Sequence, residues 1–217
     1  GNDVQSFWQG LVNGTSGAAD ITKFDATNFK TQFACEVKDF DVSQFLHRKE
    51  SRKMDLFAQY AIACSDEALA DAGLGGEKPN VDHDRVGVIW GSGIGGFQTF
   101  MNEALNFHES GGIPRFSPFF IPMMISDIAA GHISIRHGFR GPNFCTVSAC
   151  ASGTNAMIDA FNYIRLGKAE VMVTGGSEAA ITEGGIGGFN ALKALSTRND
   201  DPARASRPFD ATRDGFV

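Results

Sequence analysis

The sequence contains no cysteine pair with the spacing of a metal site or a redox motif. Its four cysteines are Cys35, Cys64, Cys145 and Cys150. None of them forms a CxxC pair, which argues against a zinc ribbon or a thioredoxin-like motif. No secretory signal is visible, so we expect these thiols to be reduced and the protein to be cytoplasmic.

Long apolar runs and an excess of positive charge are also missing. No apolar run approaches the roughly 18 residues of a membrane span, so we expect no membrane partner. Nineteen Lys and Arg against 25 Asp and Glu give a net charge of −6, which argues against a nucleic-acid partner. The remaining composition, 42% hydrophobic and 20% charged, is ordinary for a globular protein.

The two ends of the sequence lack features of natural termini. Residue 1 is glycine rather than methionine, and the last two residues, Phe216 and Val217, are apolar. We therefore expect a piece of a longer protein, interrupted at both ends within structural elements.

Apolar strands alternate with helical patterns along the chain, which predicts an α/β protein with helices on both faces of a sheet. Glycines 73, 75 and 76 are expected to end the longest helix. Residues 184–188 are glycine-rich, and residues 196–215 form a polar, salt-bridged loop in this interpretation. The predicted helices are 4–12, 55–72, 97–110, 123–135, 151–166 and 189–195, and the predicted strands are 33–37, 86–90, 144–149 and 170–174.

The glycine run at residues 91–96 (GSGIGG) matches the GxGxxG pattern of dinucleotide-binding loops. That fingerprint also requires a following strand and an acidic residue about 20 positions further on. Here a polar helix and a Pro/Phe-rich loop follow instead. The run therefore favours a loop whose backbone closely approaches another element or a ligand.

The strand at 144–149 runs into Cys150, and the next helix opens with the small residues 151–154. A thiolate at a helix N-terminus is stabilised by the macrodipole, and free N–H groups there can bind an oxyanion. We interpret Cys150 as an acyl-accepting nucleophile, with a buried small hydrophobe as the alternative. Cys35, Cys64 and Cys145 are predicted to be core residues.

Two further features have a structural and a functional interpretation. His132 could act as a general base for Cys150, although such a histidine is more often structural. The basic cluster at residues 48–53 (RKESRK) is either a solvated face or a docking site for an acidic partner.

Residues 148–153 (SACASG) resemble the nucleophile motif of the elongating β-ketoacyl-acyl carrier protein synthases, most of all the type II condensing enzymes of bacterial fatty-acid synthesis. Polyketide ketosynthases usually carry Asp-Thr before the Ala-Cys pair. Further segments match the same family in order along the chain: 91–96 (GSGIGG), 117–120 (SPFF), 141–142 (GP), 171–176 (VMVTGG), 194–200 (ALSTRND), 207–210 (RPFD) and 213–216 (RDGF).

The resemblance implies a thiolase-like fold, in which two similar α/β halves form αβαβα layers, and a homodimer in which the strand around 145–148 pairs across the dimer axis. It implies a ping-pong condensation: Cys150 takes an acyl group from acyl carrier protein, malonyl-carrier protein loses CO2, and the resulting carbanion attacks the acyl-enzyme. It also implies that no metal or redox cofactor takes part and that the substrates arrive on the phosphopantetheine of the carrier protein.

Several further positions match functional sites of the family. Ile94 and Phe189 match residues that line the acyl pocket, and Phe120 matches a residue contributed across the dimer. An isoleucine at position 94, rather than a larger ring, implies room for medium to long acyl chains. The basic positions that match the carrier-protein docking site are Arg48, Lys49, Arg52, Lys53, Arg115 and Lys193.

The sequence departs from the family in its extent. Family members are substantially longer, and their two catalytic histidines, the lysine between them and a glycine-rich gate lie in a second half. We therefore interpret residues 1–217 as a partial N-terminal ketoacyl synthase domain that cannot complete a condensation alone. A Cys-His acyl hydrolase and a non-catalytic ketosynthase-like subunit remain as alternatives; the latter characteristically lacks the cysteine.

Overall fold

The computed structural model describes residues 1–75 and 81–217. These residues form eight α-helices and five β-strands, joined by loops and short 3-10 turns. The helices are α1 (Val4–Val12), α2 (Arg48–Ser51), α3 (Leu56–Asp71), α4 (Phe97–Glu109), α5 (Phe120–Met124), α6 (Ile128–His137), α7 (Ser152–Arg165) and α8 (Glu183–Ala191). The strands are β1 (Ala19–Asp20), β2 (Phe33–Ala34), β3 (Val86–Gly91), β4 (Asn143–Thr146) and β5 (Val171–Gly176).

The described chain divides into two compact units. The first, here called the sheet unit, comprises Val42–Ala179 and holds a three-stranded parallel sheet in the order β4-β3-β5. The central strand β3 is buried along its whole length, and its last residue, Gly91, lies opposite Thr146 of β4 and Gly176 of β5. The carboxyl ends of all three strands therefore meet at one edge of the sheet.

Helices cover both faces of this sheet, as the sequence predicts. Side chains alternate along β3, so Val88 and Trp90 join a core cluster with α3 and α6. Ile89 points to the other face, where it packs against Ala156 and Ala160 of α7. The α/β prediction is confirmed for this unit.

The helix predicted at 55–72 is confirmed, and both of its ends have a physical cause. Asp55 caps its start, accepting the N–H of Phe57 at 3.4 Å, and also binds the N–H and hydroxyl of Thr99 at 3.0 and 2.6 Å. The carboxylate thus joins the first turns of α3 and α4. At the other end Gly73 adopts φ +70°, the left-handed conformation of a C-terminal glycine; Gly76 lies outside the described residues.

The single helix predicted at 123–135 is wrong, because α5 ends at Met124 and α6 begins at Ile128. The carbonyl of Met124 accepts the N–H of Gly96 at 3.0 Å, and Ile125 is extended. The glycine loop therefore takes the hydrogen bond that would continue the helix.

Three further boundaries differ from the predictions. Strand 144–149 ends early, at Thr146, and strand 33–37 is reduced to Phe33–Ala34. The glycine-rich residues 184–188 lie inside helix α8, which ends at Ala191 rather than 195. Thr182 caps α8 by accepting the N–H of Gly185 at 3.0 Å, and a methyl group at Gly185 would clash with the Ala180 carbonyl.

The second unit, here called the split unit, combines Gly1–Asp41 with Ala180–Val217. Strands β1 and β2 pair antiparallel, and α1 forms where its apolar spacing predicts, with all its residues outside the core. The loop at 196–215 is ordered and salt-bridged as predicted, for example through Arg207 and Asp214 at 2.9 Å. An apolar cluster forms the centre of the unit: Ile21, Ala26, Ala34, Ile186 and Leu195.

The predicted burial of three cysteines is wrong. Cys64 lies on the exposed side of α3, and Cys35 follows the end of the short strand β2, where it is exposed. Cys145 is half-buried because β4 lies at the edge of the sheet within the described residues.

Candidate active site

Cys150 is exposed at a sharp turn between β4 and α7. The preceding residue, Ala149, adopts φ +52°, a left-handed conformation that costs a non-glycine residue about 1–2 kcal/mol. A 3-10 turn over Ala149–Ala151 then leads into α7. The left-handed conformation of Ala149 turns the chain away from the direction of β4. Cys150 therefore lies at the start of α7.

Ser152 braces this turn from inside. Its hydroxyl accepts the N–H of Ser148 at 2.9 Å and donates to the carbonyl of Ala149 at 2.7 Å, while the residue is only 3% exposed. Asn155 donates to the Ser148 hydroxyl at 2.6 Å, and Thr146 donates to the Ser152 carbonyl at 2.8 Å. These bonds hold the strained conformation before Cys150.

Glycines allow the start of α7 to lie directly on the sheet edge. A methyl group at Gly91 would lie 2.5 Å from the Gly153 nitrogen and closer still to the Ser152 carbonyl. A methyl group at Gly176 would lie 2.9 Å from the Gly153 Cα. Backbone therefore packs on backbone, and this contact fixes the position of the turn at Ala149–Ala151, here called the nucleophile turn after the predicted role of Cys150.

The glycine run at 91–96 binds a carboxylate of the protein itself. One oxygen of Glu178 accepts the N–H groups of Gly93 and Ile94 at 2.7 and 3.0 Å, and the other accepts the Ser92 hydroxyl at 3.3 Å. The amide groups that would have to bind a phosphate are therefore occupied. Close backbone approach, the interpretation favoured from sequence, is confirmed by the Gly91 contact with α7.

The loop carrying Ile94 contacts the short helix that starts with Phe120. A methyl group at Gly95 would lie 2.5 Å from the Met124 carbonyl oxygen, so loop and helix touch through backbone. Ile94 itself is 42% exposed, and Phe120 is partly buried with its ring 5.6 Å from that of Phe116. The sheet unit thus brings the predicted residues Ile94 and Phe120 onto adjacent elements.

Phe189 and Lys193 belong to the split unit. Phe189 lies on α8, partly buried against the apolar cluster, with its ring edge-to-face at 5.3 Å from Phe216. Lys193 follows the helix, is exposed and has φ +55°.

The basic cluster is exposed. It lies beside the loop at residues 110–119 between α4 and α5, here called the aromatic loop. Arg48 and Lys49 stand on α2, Arg52 and Lys53 follow it, and all four side chains are exposed. The Lys53 ammonium lies 5.2 Å from the centre of the Phe119 ring, a cation–π contact. Arg115 is also exposed and lines a cavity of about 230 Å³ together with Glu103, Asn106, Phe107, Ser110, Ile113 and Phe116.

Two other titratable groups do not complete the site. Burial lowers the pKa of His132, and its Nε2 is buried with no hydrogen-bond partner among the described residues, so this atom is not paired with Cys150. Burial, with the nearby charges of Asp127 and Glu178, raises the pKa of the Cys145 thiol. A raised pKa makes a thiol a weaker candidate for the nucleophile at neutral pH.

Sequence reasoning missed Glu178, Ser152 and Asn155. Ser152 and Asn155 carry a local signal, since they lie two and five residues after Cys150, on the first turns of α7. Glu178 could have been found from its place two residues beyond the apolar strand β5, at the same sheet edge as the glycine run.

Two features are absent from residues 1–75 and 81–217: a helix that could span a membrane and a cluster of metal ligands. No helix in these ranges is long and apolar enough to cross a membrane. The same residues contain no cluster of three or more His, Cys, Asp or Glu side chains that could hold a metal ion.

Comparison with known proteins identifies the family. A family model described as the N-terminal domain of β-ketoacyl synthases matches residues 1–217. The 3-oxoacyl-[acyl-carrier-protein] synthase 2 of Synechocystis is 48% identical over the whole chain, which spans 51% of that relative, or about half its length.

Solved structures give the same result. A β-ketoacyl synthase from Burkholderia phymatum superposes with a TM-score of 0.87 at 31% identity, covering 98% of this chain and 52% of that one. A type II polyketide ketosynthase in complex with its acyl carrier protein gives a TM-score of 0.67 at 26% identity, covering 73% of this chain and 45% of that one. The likeness to these ketosynthases confirms the predicted thiolase-like fold, and the chain belongs to the β-ketoacyl synthase family.

Proposed function

We propose that this chain is the acyl-accepting, N-terminal half of an elongating β-ketoacyl-acyl carrier protein synthase. The observation that carries the proposal is the exposed Cys150 on a braced turn at the start of α7, within a chain 48% identical to a 3-oxoacyl-[acyl-carrier-protein] synthase 2. The reaction is a decarboxylative Claisen condensation in fatty-acid elongation. We propose that this reaction uses no metal or redox cofactor. We also propose that the protein is cytoplasmic.

In the first half-reaction the Cys150 thiolate attacks the thioester carbonyl of an acyl-carrier protein. The new carbon–sulfur bond forms as the phosphopantetheine thiol leaves, and the acyl group stays on the cysteine. The Ala151 N–H is used by the Ser148 carbonyl, 3.1 Å away, so we assign the N–H of Cys150 itself to the oxyanion.

In the second half-reaction malonyl-carrier protein loses CO2, and the electrons of the broken carbon–carbon bond form a carbanion. This carbanion attacks the carbonyl of the acyl-enzyme, and the Cys150 thiolate leaves. The product is a 3-oxoacyl-carrier protein extended by two carbons. We assign the decarboxylation to histidines of a second half of the protein, so the 217-residue chain is expected to take an acyl group but not to condense it.

The exposed face of α7 supports a second half that packs on this one. One side of the helix buries Ala156 and Ala160 against the sheet, yet its other side exposes Met157, Ile158 and Phe161, the last by 60%. A helix that is apolar on two sides is normally covered on both. We propose that the second half covers this face in an αβαβα arrangement.

We assign acyl-chain contacts to Ile94 in the sheet unit and, separately, to Phe189 in the split unit, and we propose that Phe120 makes such a contact from a second copy of the chain. The modest size of Ile94 leaves room for medium to long chains. The edge position of β4 supports a homodimer, because Val147 just beyond this strand is 64% exposed and the outer side of β4 has no partner strand among the described residues.

We propose that the exposed basic residues bind the acidic surface of the carrier protein. The solved structure of a type II polyketide acyl-carrier protein in complex with its ketosynthase supports this proposal, because a structural relative binds its carrier protein. Positive charges around the aromatic loop would steer an acidic partner toward the site. The proposed docking residues are Arg48, Lys49, Arg52, Lys53, Arg115 and Lys193.

Mass spectrometry of the protein at its full natural length tests this function. Incubation with acyl-carrier protein should add one acyl group to the peptide that holds Cys150, and malonyl-carrier protein should then release it as a 3-oxoacyl product with CO2. The Cys150→Ala variant should give neither product, and a Cys145→Ala variant should give both. Wild-type protein that takes no acyl group, or that hydrolyses it without elongation, would refute the proposal.

A further inference from the structure

We propose that Glu178 is a positioning residue of the acyl-chain site: its carboxylate anchors the backbone of Gly93 and Ile94 and thereby sets where the Ile94 side chain stands relative to Cys150. The inference rests on the proposed function, because it takes Ile94 as a wall of the acyl-chain site. Glu178 lies two residues past β5, so it joins the glycine loop to the end of a neighbouring strand.

The loop needs an anchor of this kind because its N–H groups converge. The amides of Gly93 and Ile94 both point at one oxygen of Glu178, at 2.7 and 3.0 Å. The other oxygen accepts the Ser92 hydroxyl at 3.3 Å, and that hydroxyl accepts the N–H of Gly95 at 3.1 Å. Successive amides in such a turn form a concave anion site, and hydrogen bonds to a charged acceptor are roughly twice as strong as neutral ones.

The anchored loop borders the nucleophile turn on one side. A methyl group at Gly93 would lie 2.9 Å from the nearer Glu178 oxygen and 3.6 Å from the Cα of Ala149. Gly93 is therefore packed between the carboxylate and the strained residue before Cys150. A shift of the loop would change the distance between Ile94 and the thiol.

On its other side the loop borders helix α5. The N–H of Gly96 donates to the Met124 carbonyl at 3.0 Å, and Gly95 packs against the same carbonyl. The loop therefore lies between the nucleophile turn and helix α5, which begins with Phe120. Among the described residues, Glu178 is the charged side chain that accepts hydrogen bonds from this loop.

The test is the chain-length profile of the acyl transfer, measured with the protein at its full natural length. Acylation of Cys150 is followed with carrier proteins bearing short and long saturated chains, and the ratio of kcat/KM for long over short chains is compared between variants. Glu178→Ala should change this ratio by about tenfold or more, since a displacement of roughly 1 Å suffices for large effects. Glu178→Gln, which keeps one acceptor oxygen, should stay within about threefold of the wild type.

A matched variant separates the two proposals. Ile94→Phe fills the assigned site and should lower the ratio of kcat/KM for long over short chains by about tenfold or more. If it does so while Glu178→Ala leaves the ratio unchanged, the role of Glu178 is refuted and the function stands. If wild-type protein takes no acyl group on Cys150, the proposed function fails and this inference fails with it.

Hydrogen exchange gives a readout that does not depend on turnover and covers the case in which Glu178→Ala does not fold. Glu178→Asp keeps the charge but is one methylene shorter, so its carboxylate should not reach both amides. The amides of Gly93 and Ile94 should then exchange about tenfold faster or more, while those of α3 stay unchanged. Unchanged exchange at Gly93 and Ile94 in a folded Glu178→Asp protein would overturn the proposal.

Discussion

Three glycines at one contact should respond very differently to the same substitution. Gly91, Gly153 and Gly176 all lie where the start of α7 meets the sheet edge. A methyl group at Gly91 would lie 2.5 Å from the Gly153 nitrogen, and one at Gly176 would lie 2.9 Å from the Gly153 Cα. A methyl group at Gly153 itself would lie 3.5 Å from the nearest atom, an ordinary van der Waals distance.

The expected costs follow from these distances. Overpacking of a rigid site typically costs about 1–3 kcal/mol, and Gly176→Ala should fall in this range. Gly91→Ala presses on backbone that cannot rotate away and should cost more than about 3 kcal/mol. Gly153→Ala should be neutral or stabilising by up to about 1 kcal/mol, because Gly153 lies in α7 and alanine is the better helix former.

Urea unfolding of the full-length protein measures these differences, and the alkylation rate of Cys150 with iodoacetamide reports the position of the thiol. Gly176→Ala should change the alkylation rate, whereas Gly153→Ala should not. Gly188→Ala is the matched control, since nothing lies within 4 Å of a methyl group there. Equal effects at Gly91, Gly176 and Gly153 would refute the reasoning that backbone contact fixes the nucleophile turn.

Three other predictions test separate parts of the molecule. Ser152→Ala removes two buried hydrogen bonds and should cost about 2–3 kcal/mol in urea unfolding, with altered alkylation of the nucleophile; an unchanged protein would exclude the bracing role. Lys49→Glu should raise the KM for acyl-carrier protein about fivefold at low salt and less at high salt, whereas the exposed Lys168→Glu should not; equal effects would contradict a docking patch. The pKa of Asp214 is lowered from 3.8 to about 2, chiefly by the Ser196 hydroxyl, so its stabilising contribution is complete above the unfolded value and is lost as the pH falls toward 2. Amide exchange near Ser196 should accelerate in that window, and Asp214→Asn should abolish the pH dependence; acceleration that persists in this variant would assign it to another group.

The sequence alone predicts elements whose signals are local. The helix beginning after Asp55 and ending before Gly73 was predictable because a capping carboxylate and a left-handed glycine act within a few residues. Strand β3 was predictable because it is a short apolar run, buried along its whole length. The position of Cys150 between a strand and a helix was predictable because a strand pattern precedes it and small residues that open a helix follow it.

The errors concern features decided by distant contacts. Residues 147–149 have the composition of a strand, yet Ala149 turns because Ser152 and Asn155 hold the chain there. Gly185 lies inside α8 because a side chain there would clash with the Ala180 carbonyl, a contact that helix propensity does not record. The carboxylate of Glu178 meets the glycine loop 85 residues earlier in the chain, so neither segment reveals the other before the sheet brings them together.

The contact between α7 and the sheet edge divides the site into a constant part and an adjustable part. Since main-chain atoms of Gly91, Ser152 and Gly153 make this contact, exchanging side chains there offers no graded way to move the nucleophile. The exposed Ile94, in contrast, can change in volume without disturbing the turn. Under the proposed function, new chain-length preferences should therefore arise, in evolution or in the laboratory, through the side chain of Ile94, while the position of the thiol stays unchanged.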